Sequence, residues 1–220
     1  MLIAGVDEAG RGCVIGPLVV AGVAVTTQNM QSLIDLGVKD SKLLTAKKRE
    51  RLHSEILKLT QNHHIIKVPP NQIDIVVQNA RKLHKLNRLE AETMAKIIEA
   101  LKPDEAYVDA ADVLEKRFGN HIKERLTIDT TIISEHKADR TFPIVSAASI
   151  IAKVERDREI ANLKLNYGDF GSGYLTDNKT LAFLKQLLYE NGDYPSFVRQ
   201  SWKPAKKAKS EFGTKQQTLL

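Results

Sequence analysis

Apolar residues open the chain in two short runs, residues 2–6 and the valine-rich residues 18–25, each of strand length. Gly10, Gly12, Gly16 and Pro17 lie between them, too rich in glycine for a helix, so the pattern reads strand–loop–strand. Thr45 is placed to cap a helix carrying Leu52, Ile56 and Leu59 on one face. Residues 64–68 read as a third strand, stopped by Pro69 and Pro70, after which Asn71 can cap a short helix. Leu86, Leu89, Thr93, Ile97 and Leu101 keep helical spacing and end before Pro103. Residues 106–108 and the β-branched run 127–133 add two strands. Pro143 suits the first turn of a helix that continues through Ile151, Ile160 and Leu163. A loop around Gly168, Gly171 and Gly173 leads to a last apolar helix near residues 181–188. Strands alternating with helices, with one strand pair close in sequence, predict an α/β protein with a mixed sheet.

Composition narrows this picture little. At 220 residues, 42% hydrophobic and 27% charged, the chain is expected to form one domain over residues 1–200, its part from about 175 helical. Residues 201–220 read as a basic surface helix or arm. The longest apolar runs fall short of the roughly 20 residues that span a bilayer, and no charged leader precedes a long apolar block. Cys13 is the only cysteine, which excludes an intramolecular disulfide and a thiolate-rich zinc site and fits a reducing cytoplasm. The net charge of +6 changes more, because Lys47, Lys48, Arg49 and Arg51 cluster, as do Lys203, Lys206, Lys207 and Lys209. Clustered positive charge favours an acidic partner, nucleic acid first.

The candidate chemistry is carboxylate. Asp7 and Glu8 follow the first expected strand, Asp109 follows residues 106–108, and Asp139 is expected in the loop before Pro143. Acids at the strand ends of an α/β sheet can converge on one edge, where they repel unless a cation neutralises them. Oxygen-only ligands favour Mg²⁺ or Mn²⁺ over zinc, and two such ions about 3.5–4 Å apart can hold a scissile phosphate. Strand neighbours point to opposite faces, so Asp7 and Glu8 share one site only if the strand breaks there, as the following glycines would allow. Taken singly, each acid reads equally as a solvated turn residue.

Ordered motifs go further. Asp7-Glu8-Ala9-Gly10-Arg11-Gly12 is followed by Asp40-Ser41-Lys42, Tyr107-Val108-Asp109-Ala110 and His136-Lys137-Ala138-Asp139. Then come Ser146-Ala147-Ala148-Ser149-Ile150 with Ala152-Lys153, and Gly171-Ser172-Gly173-Tyr174. Together they resemble the ribonuclease HII family, in its archaeal branch, from Leu2 to about Trp202. The resemblance implies a ribonuclease H-like fold with a mixed central sheet flanked by helices and a C-terminal helical extension. It implies that Asp7, Glu8, Asp109 and Asp139 are the metal-binding catalytic acids, using Mg²⁺ or Mn²⁺ as two ions. The implied substrates are RNA/DNA hybrids and duplex DNA containing ribonucleotides, cut 5′ of the ribonucleotide to leave a 3′-hydroxyl.

The resemblance also assigns substrate contacts. Gly10, Arg11 and Gly12 match the loop that reads the 2′-hydroxyl, where missing side chains let backbone groups approach a sugar. Tyr174 matches the tyrosine that stacks on the sugar just 3′ of the ribonucleotide. Lys42, with Ser41, is expected to bind phosphate, Lys137 and Ser146 to assist, and His136 to be a hydrogen-bonded structural residue. Cys13 departs from the family's usual proline, which predicts a less rigid loop, and Leu175 stands where archaeal relatives often have proline. Gln216 and Leu219 resemble the first half of a peptide that docks sliding clamps, without its aromatic pair. A non-catalytic hybrid-binding module is opposed by the presence of all four acids. A resolvase of the same superfamily would need neither the glycine loop nor Tyr174. A monomer is the default expectation.

Overall fold

The computed structural model describes residues 1–38, 44–60, 62–78 and 85–218, with side chains as far as residue 213. Its centre is a five-stranded sheet built from β1 (Leu2–Ala9), β2 (Leu18–Thr26), β3 (Asn62–Val68), β4 (Glu105–Asp109) and β5 (Thr131–Glu135). The strand order is β3-β2-β1-β4-β5. β1 runs antiparallel to β2 and parallel to β4, which in turn runs parallel to β5, so the sheet is mixed as expected. The helices are α1 (Met30–Asp35), α2 (Ala46–Leu59), α3 (Pro70–Gln78), α4 (Lys85–Leu101), α5 (Glu115–Lys123), α6 (Ala138–Thr141), α7 (Pro143–Tyr167), α8 (Asn178–Asn191) and α9 (Lys203–Thr218).

The expected elements are present, with shifted ends. β1 does not stop at Val6 but pairs with β2 through Ala9, carrying Asp7 opposite Ala21 and Glu8 opposite Val20. β5 begins at Thr131 rather than 127, because the preceding residues serve other bonds. Thr127 engages Glu99 through both backbone and hydroxyl, and Thr130 Oγ1 donates to the Pro103 carbonyl at 2.8 Å. α3 starts at Pro70, so Asn71 sits inside its first turn instead of capping it. Thr45 does cap α2, its hydroxyl accepting from Lys48 N–H at 3.3 Å.

The chain folds as two compact units, each assembled from separate stretches of sequence. The first comprises Met1–Ala9, Val19–Lys67 and Leu83–Glu155, and the second Gly10–Leu18, Val68–Lys82 and Arg156–Leu220. In the first unit β2 is buried along both faces, which explains why residues 18–25 read as an unbroken apolar run rather than an alternation. One face meets α4, where a Cβ on Gly22 would lie 2.3 Å from Ile97. The other packs Val19, Ala21, Val23 and Val25 with Ile144, Val145, Ala148 and Ile151 of α7. Gly5 makes the approach of α7 possible, since a Cβ there would stand 2.3 Å from the Ile144 carbonyl oxygen. By strand alternation Asp7 shares the α7 side with Ile3 and Gly5.

The second unit has its own core of Val14, Ile15, Ile160, Phe170, Leu184, Leu187, Leu188, Tyr194, Phe197 and Val198. α8 is capped by Asp177, whose side chain accepts from Lys179 N–H at 2.9 Å. The basic C-terminal segment forms α9, docked on this core through Ala205, Ala208 and Phe212. Asp74 of α3 ties the approach to α9, accepting from the N–H groups of Gln200 and Ser201 at 2.8 and 2.9 Å.

Candidate active site

Three acids meet in the first unit. Asp7 on β1, Asp109 at the end of β4 and Asp139 in α6 each offer an oxygen, and these atoms lie within 4.8 Å of one another. Parallel pairing of β1 with β4 sets Asp7 and Asp109 on adjacent strands. Asp109 then fixes the third acid, because its Oδ1 accepts from Ala138 N–H at 3.1 Å. Asp139 therefore stands in the single turn of α6, not in a loop, and is 2% exposed. Lys137 makes the bend before it at φ 57°, with its side chain exposed.

Burial and the neighbouring Asp109 charge raise the Asp7 carboxyl to about 6. A hydrogen bond from Ser149, the charge of Lys153 and the Glu8 N–H (2.7 Å from Asp7 Oδ1) oppose that rise and lose. Oxygen donors at this spacing, with one carboxyl held towards its neutral form, fit a divalent cation of the Mg²⁺ or Mn²⁺ kind. Glu8 does not belong to the group. β1 stays paired with β2 through Glu8, which stands opposite Val20, so the strand does not break between the two acids.

Ser149 and Lys153 escaped the sequence reading, although both fall inside a motif that carries the family resemblance. They stand one turn apart on α7, and Lys153 Nζ donates to Ser149 Oγ at 2.5 Å. The four-residue spacing was the available signal. Ser146, the serine expected to assist, is 1% exposed and donates its hydroxyl to the Val38 carbonyl. That bond ties α7 to the chain before residue 39. His136 is hydrogen-bonded as expected, its ring nitrogens 3.3 and 3.2 Å from the Ala110 and Val113 carbonyls. Ser41 and Lys42 lie outside the described residues.

The second unit brings two glycine-containing loops, at residues 10–16 and 171–174, together. Val14 N–H and Ile15 N–H both donate to the Gly173 carbonyl, at 2.8 and 3.2 Å, and Cys13 bridges to Tyr174. Gly10 adopts φ +79°, and a Cβ there would meet the Pro17 carbonyl oxygen at 2.7 Å, so no other residue fits. A Cβ on exposed Gly12 would lie 3.9 Å from the Tyr174 ring. Cys13 is fully buried and donates from Sγ to the Gly10 carbonyl at 3.0 Å. Its sulfur supplies a tie across the turn where the family's proline would have restricted φ.

Two arginines, invisible as such among 33 basic residues, complete this unit. Arg156 places its guanidinium 4.9 Å from the Tyr174 ring centroid and donates to the Ser172 carbonyl at 2.5 Å. Arg199 is fully buried against residues 10–16.

A mixed sheet flanked by helices, with three carboxylates gathered from β1, β4 and α6, defines an α/β protein whose acid cluster could hold a divalent cation. A ribonuclease HII family model matches residues 4–205. A ribonuclease HII of Pyrococcus horikoshii is 47% identical over 221 residues, spanning 100% of this chain and 98% of its own. The crystal structure of ribonuclease H2 from P. horikoshii OT3 has a TM-score of 0.90 at 46% identity, covering 97% of this chain and 99% of that one. The ribonuclease HII in a PCNA complex from Archaeoglobus fulgidus has a TM-score of 0.83 at 47% identity, covering 92% and 96%. The chain belongs to the ribonuclease HII family, and with it to the ribonuclease H-like fold and to the endoribonuclease hydrolases.

Proposed function

We propose that the protein hydrolyses the RNA strand of RNA/DNA hybrids and incises duplex DNA on the 5′ side of embedded ribonucleotides, leaving 3′-hydroxyl and 5′-phosphate ends. The observation that carries this reading is the convergence of Asp7, Asp109 and Asp139 within 4.8 Å in a chain of this family. These acids, with Glu8 serving from the same strand, would hold two Mg²⁺ or Mn²⁺ ions. Such ions neutralise the scissile phosphate and lower the pKa of the attacking water. The protein's own part is to keep the carboxylates charged and aimed. Ser149 and Lys153 do this for Asp7, by a hydrogen bond and by positive charge. Asp109 does it for Asp139, by fixing the first turn of α6.

Substrate selection falls to residues of the other unit, joined to the acids by the peptide between Ala9 and Gly10. Gly10, Arg11 and Gly12 would read the 2′-hydroxyl, and Tyr174 the deoxyribose that follows. Lys137, exposed beside Asp139, would meet phosphate, as would Ser41 and Lys42. Family membership supports a cytoplasmic enzyme, which we take to act as a monomer. The A. fulgidus relative was solved with PCNA, which supports clamp docking, and we assign that docking to the C-terminal segment. Only the backbone of Gln216 is described there, and Leu219 lies outside the described residues.

A metal-dependent cleavage assay on a DNA duplex bearing one ribonucleotide tests the reading. Incision 5′ of that ribonucleotide in Mg²⁺ or Mn²⁺, absent with EDTA and on an all-DNA control, is expected. Cleavage of the all-DNA control at a similar rate, or no cleavage with either metal, would overturn it.

A further inference from the structure

Arg199 is one of the largest fully buried side chains in the protein. Its hydrogen-bond acceptors are three main-chain carbonyls and a sulfur. Nη2 donates to the Gly10 carbonyl at 2.7 Å and Nη1 to the Arg11 carbonyl at 2.8 Å. Nε and Nη2 both reach the Gly16 carbonyl at 3.1 Å, and Nη2 reaches Cys13 Sγ at 3.1 Å. The guanidinium carbon sits 5.0 Å from the Trp202 ring centroid. A buried charge is a costly way to fill space, and an apolar side chain of similar volume often stabilises a core as well or better. What an apolar residue cannot do is hold the carbonyls at 10, 11 and 16 in one orientation.

That orientation has a stereochemical consequence. In a planar trans peptide the C=O and the following N–H point in opposite directions, and the described residues contain no cis peptide. Carbonyls 10 and 11 turned onto Arg199 send the N–H groups of Arg11 and Gly12 away from it. Gly12, the exposed member, lies beside the Tyr174 ring. We propose that Arg199 is a positioning residue for ribonucleotide recognition: by gripping the carbonyls of Gly10, Arg11 and Gly16 it presets the donor face of the loop that meets the ribose. The inference rests on the reading of that loop as the 2′-hydroxyl reader. Arg199 touches no substrate in this scheme, and it acts only through the backbone it holds.

The test uses the full chain with Arg199→Gln and Arg199→Lys in Mg²⁺, measuring kcat and KM on two substrates. One is a DNA duplex with a single ribonucleotide, which offers one 2′-hydroxyl. The other is a uniform RNA/DNA hybrid, which offers one at every register. Arg199→Gln should lower the kcat/KM ratio of the first to the second by about tenfold, the scale of one charge-assisted hydrogen bond. Arg199→Lys, keeping the charge but fewer donors, should recover part of that ratio. Amide hydrogen exchange should quicken over residues 11–16 and stay unchanged over β1. Equal losses on both substrates, or an unchanged ratio in a folded variant, overturn the proposal. If Arg199→Gln does not fold, Arg199→Lys decides: faster exchange over 11–16 with an unchanged ratio overturns it. Wild-type enzyme that fails to prefer the single-ribonucleotide duplex over an all-DNA control overturns the loop reading itself, and that result precedes any variant.

Discussion

The first unit gathers three carboxylates of like charge around a buried Asp7, whereas the second surrounds a buried guanidinium with carbonyl oxygens. Burial penalises charge in both places, but the two are resolved differently. Arg199 finds its compensation inside the protein, in bonds of 2.7 to 3.1 Å to the very loop it orders. Asp7 is not fully compensated by Ser149, Lys153 and the Glu8 N–H, and its carboxyl remains raised to about 6. One region is complete before any ligand arrives, and the other is left for a cation to finish. A metal centre has to be unfinished in this sense, since binding energy comes from relieving the repulsion. If the loop reads the 2′-hydroxyl as proposed, it has to be finished beforehand, because ordering it later would consume the small difference it reads.

The largest expected effect breaks the unfinished region. Asp7→Asn and Asp139→Asn should each abolish incision, by on the order of 10³-fold or more, because metal assistance is worth several kcal/mol. Neither variant should unfold the chain. Asp7→Asn removes a desolvated charge, so in EDTA it should melt at or above the wild-type temperature. Wild type should gain stability on adding Mg²⁺, and Asp7→Asn should gain much less. Near-normal cleavage by either variant in Mg²⁺ would mean the acids are misassigned.

The next effect is a pH dependence. Asp7 is raised to about 6 in the folded chain from 3.8, so between those values the folded state binds the extra proton. Metal-free stability from this group is therefore greatest at low pH and declines as pH rises from about 4 to about 6, by roughly 3 kcal/mol at most. Urea unfolding in EDTA across that window should show wild type losing stability relative to Asp7→Asn, which cannot ionise. Parallel pH profiles for the two proteins would remove the premise that Asp7 is strained.

How much of this was legible follows from what each feature depends on. The strand–loop–strand opening, the helix after Pro143 and the acids at 109 and 139 rest on local pattern, and residues 2–6 and 143 lie in the expected elements. The continuation of β1 past Val6 depended on β2 remaining paired with it, which no local pattern of Asp7, Glu8 and glycine encodes. That pairing, in turn, decides which sheet face Glu8 occupies. Arg199 was unreadable for a different reason: it acts on carbonyls 183 to 189 residues away, and carbonyls carry no sequence signature. Cys13 was legible as a departure, but only its 3.0 Å bond to the Gly10 carbonyl shows how the departure is accommodated.

The finished region is probed more gently. Tyr174→Ala should weaken cutting at a ribonucleotide followed by deoxyribonucleotides about tenfold more than cutting inside a continuous hybrid, the scale of a lost aromatic platform. Tyr174→Phe should keep most of that preference, since the ring rather than the hydroxyl would do the stacking. Uniform loss on both substrates with Tyr174→Ala would make the residue a support for Arg156, whose guanidinium packs on it, and not a reader.

The smallest effects separate two serines on the same helix. Ser149→Ala removes the hydroxyl that bonds Asp7 and accepts from Lys153, so it should push the Asp7 carboxyl higher still and weaken metal affinity. One hydrogen bond to a charged group is worth about 1.5–3 kcal/mol at most, and Lys153 can move to compensate, so a loss of a few-fold in apparent Mg²⁺ affinity is expected. Raising Mg²⁺ should restore most of the activity. Ser146→Ala, which loses its bond to the Val38 carbonyl, should instead lower thermal stability, by about 1–3 kcal/mol for a buried carbonyl left unpaired, with the Mg²⁺ dependence unchanged. The two substitutions delete the same atom three residues apart on α7. If Ser146→Ala rather than Ser149→Ala shifted the Mg²⁺ titration, the acids would be supported from a different part of the helix than the geometry around Asp7 shows.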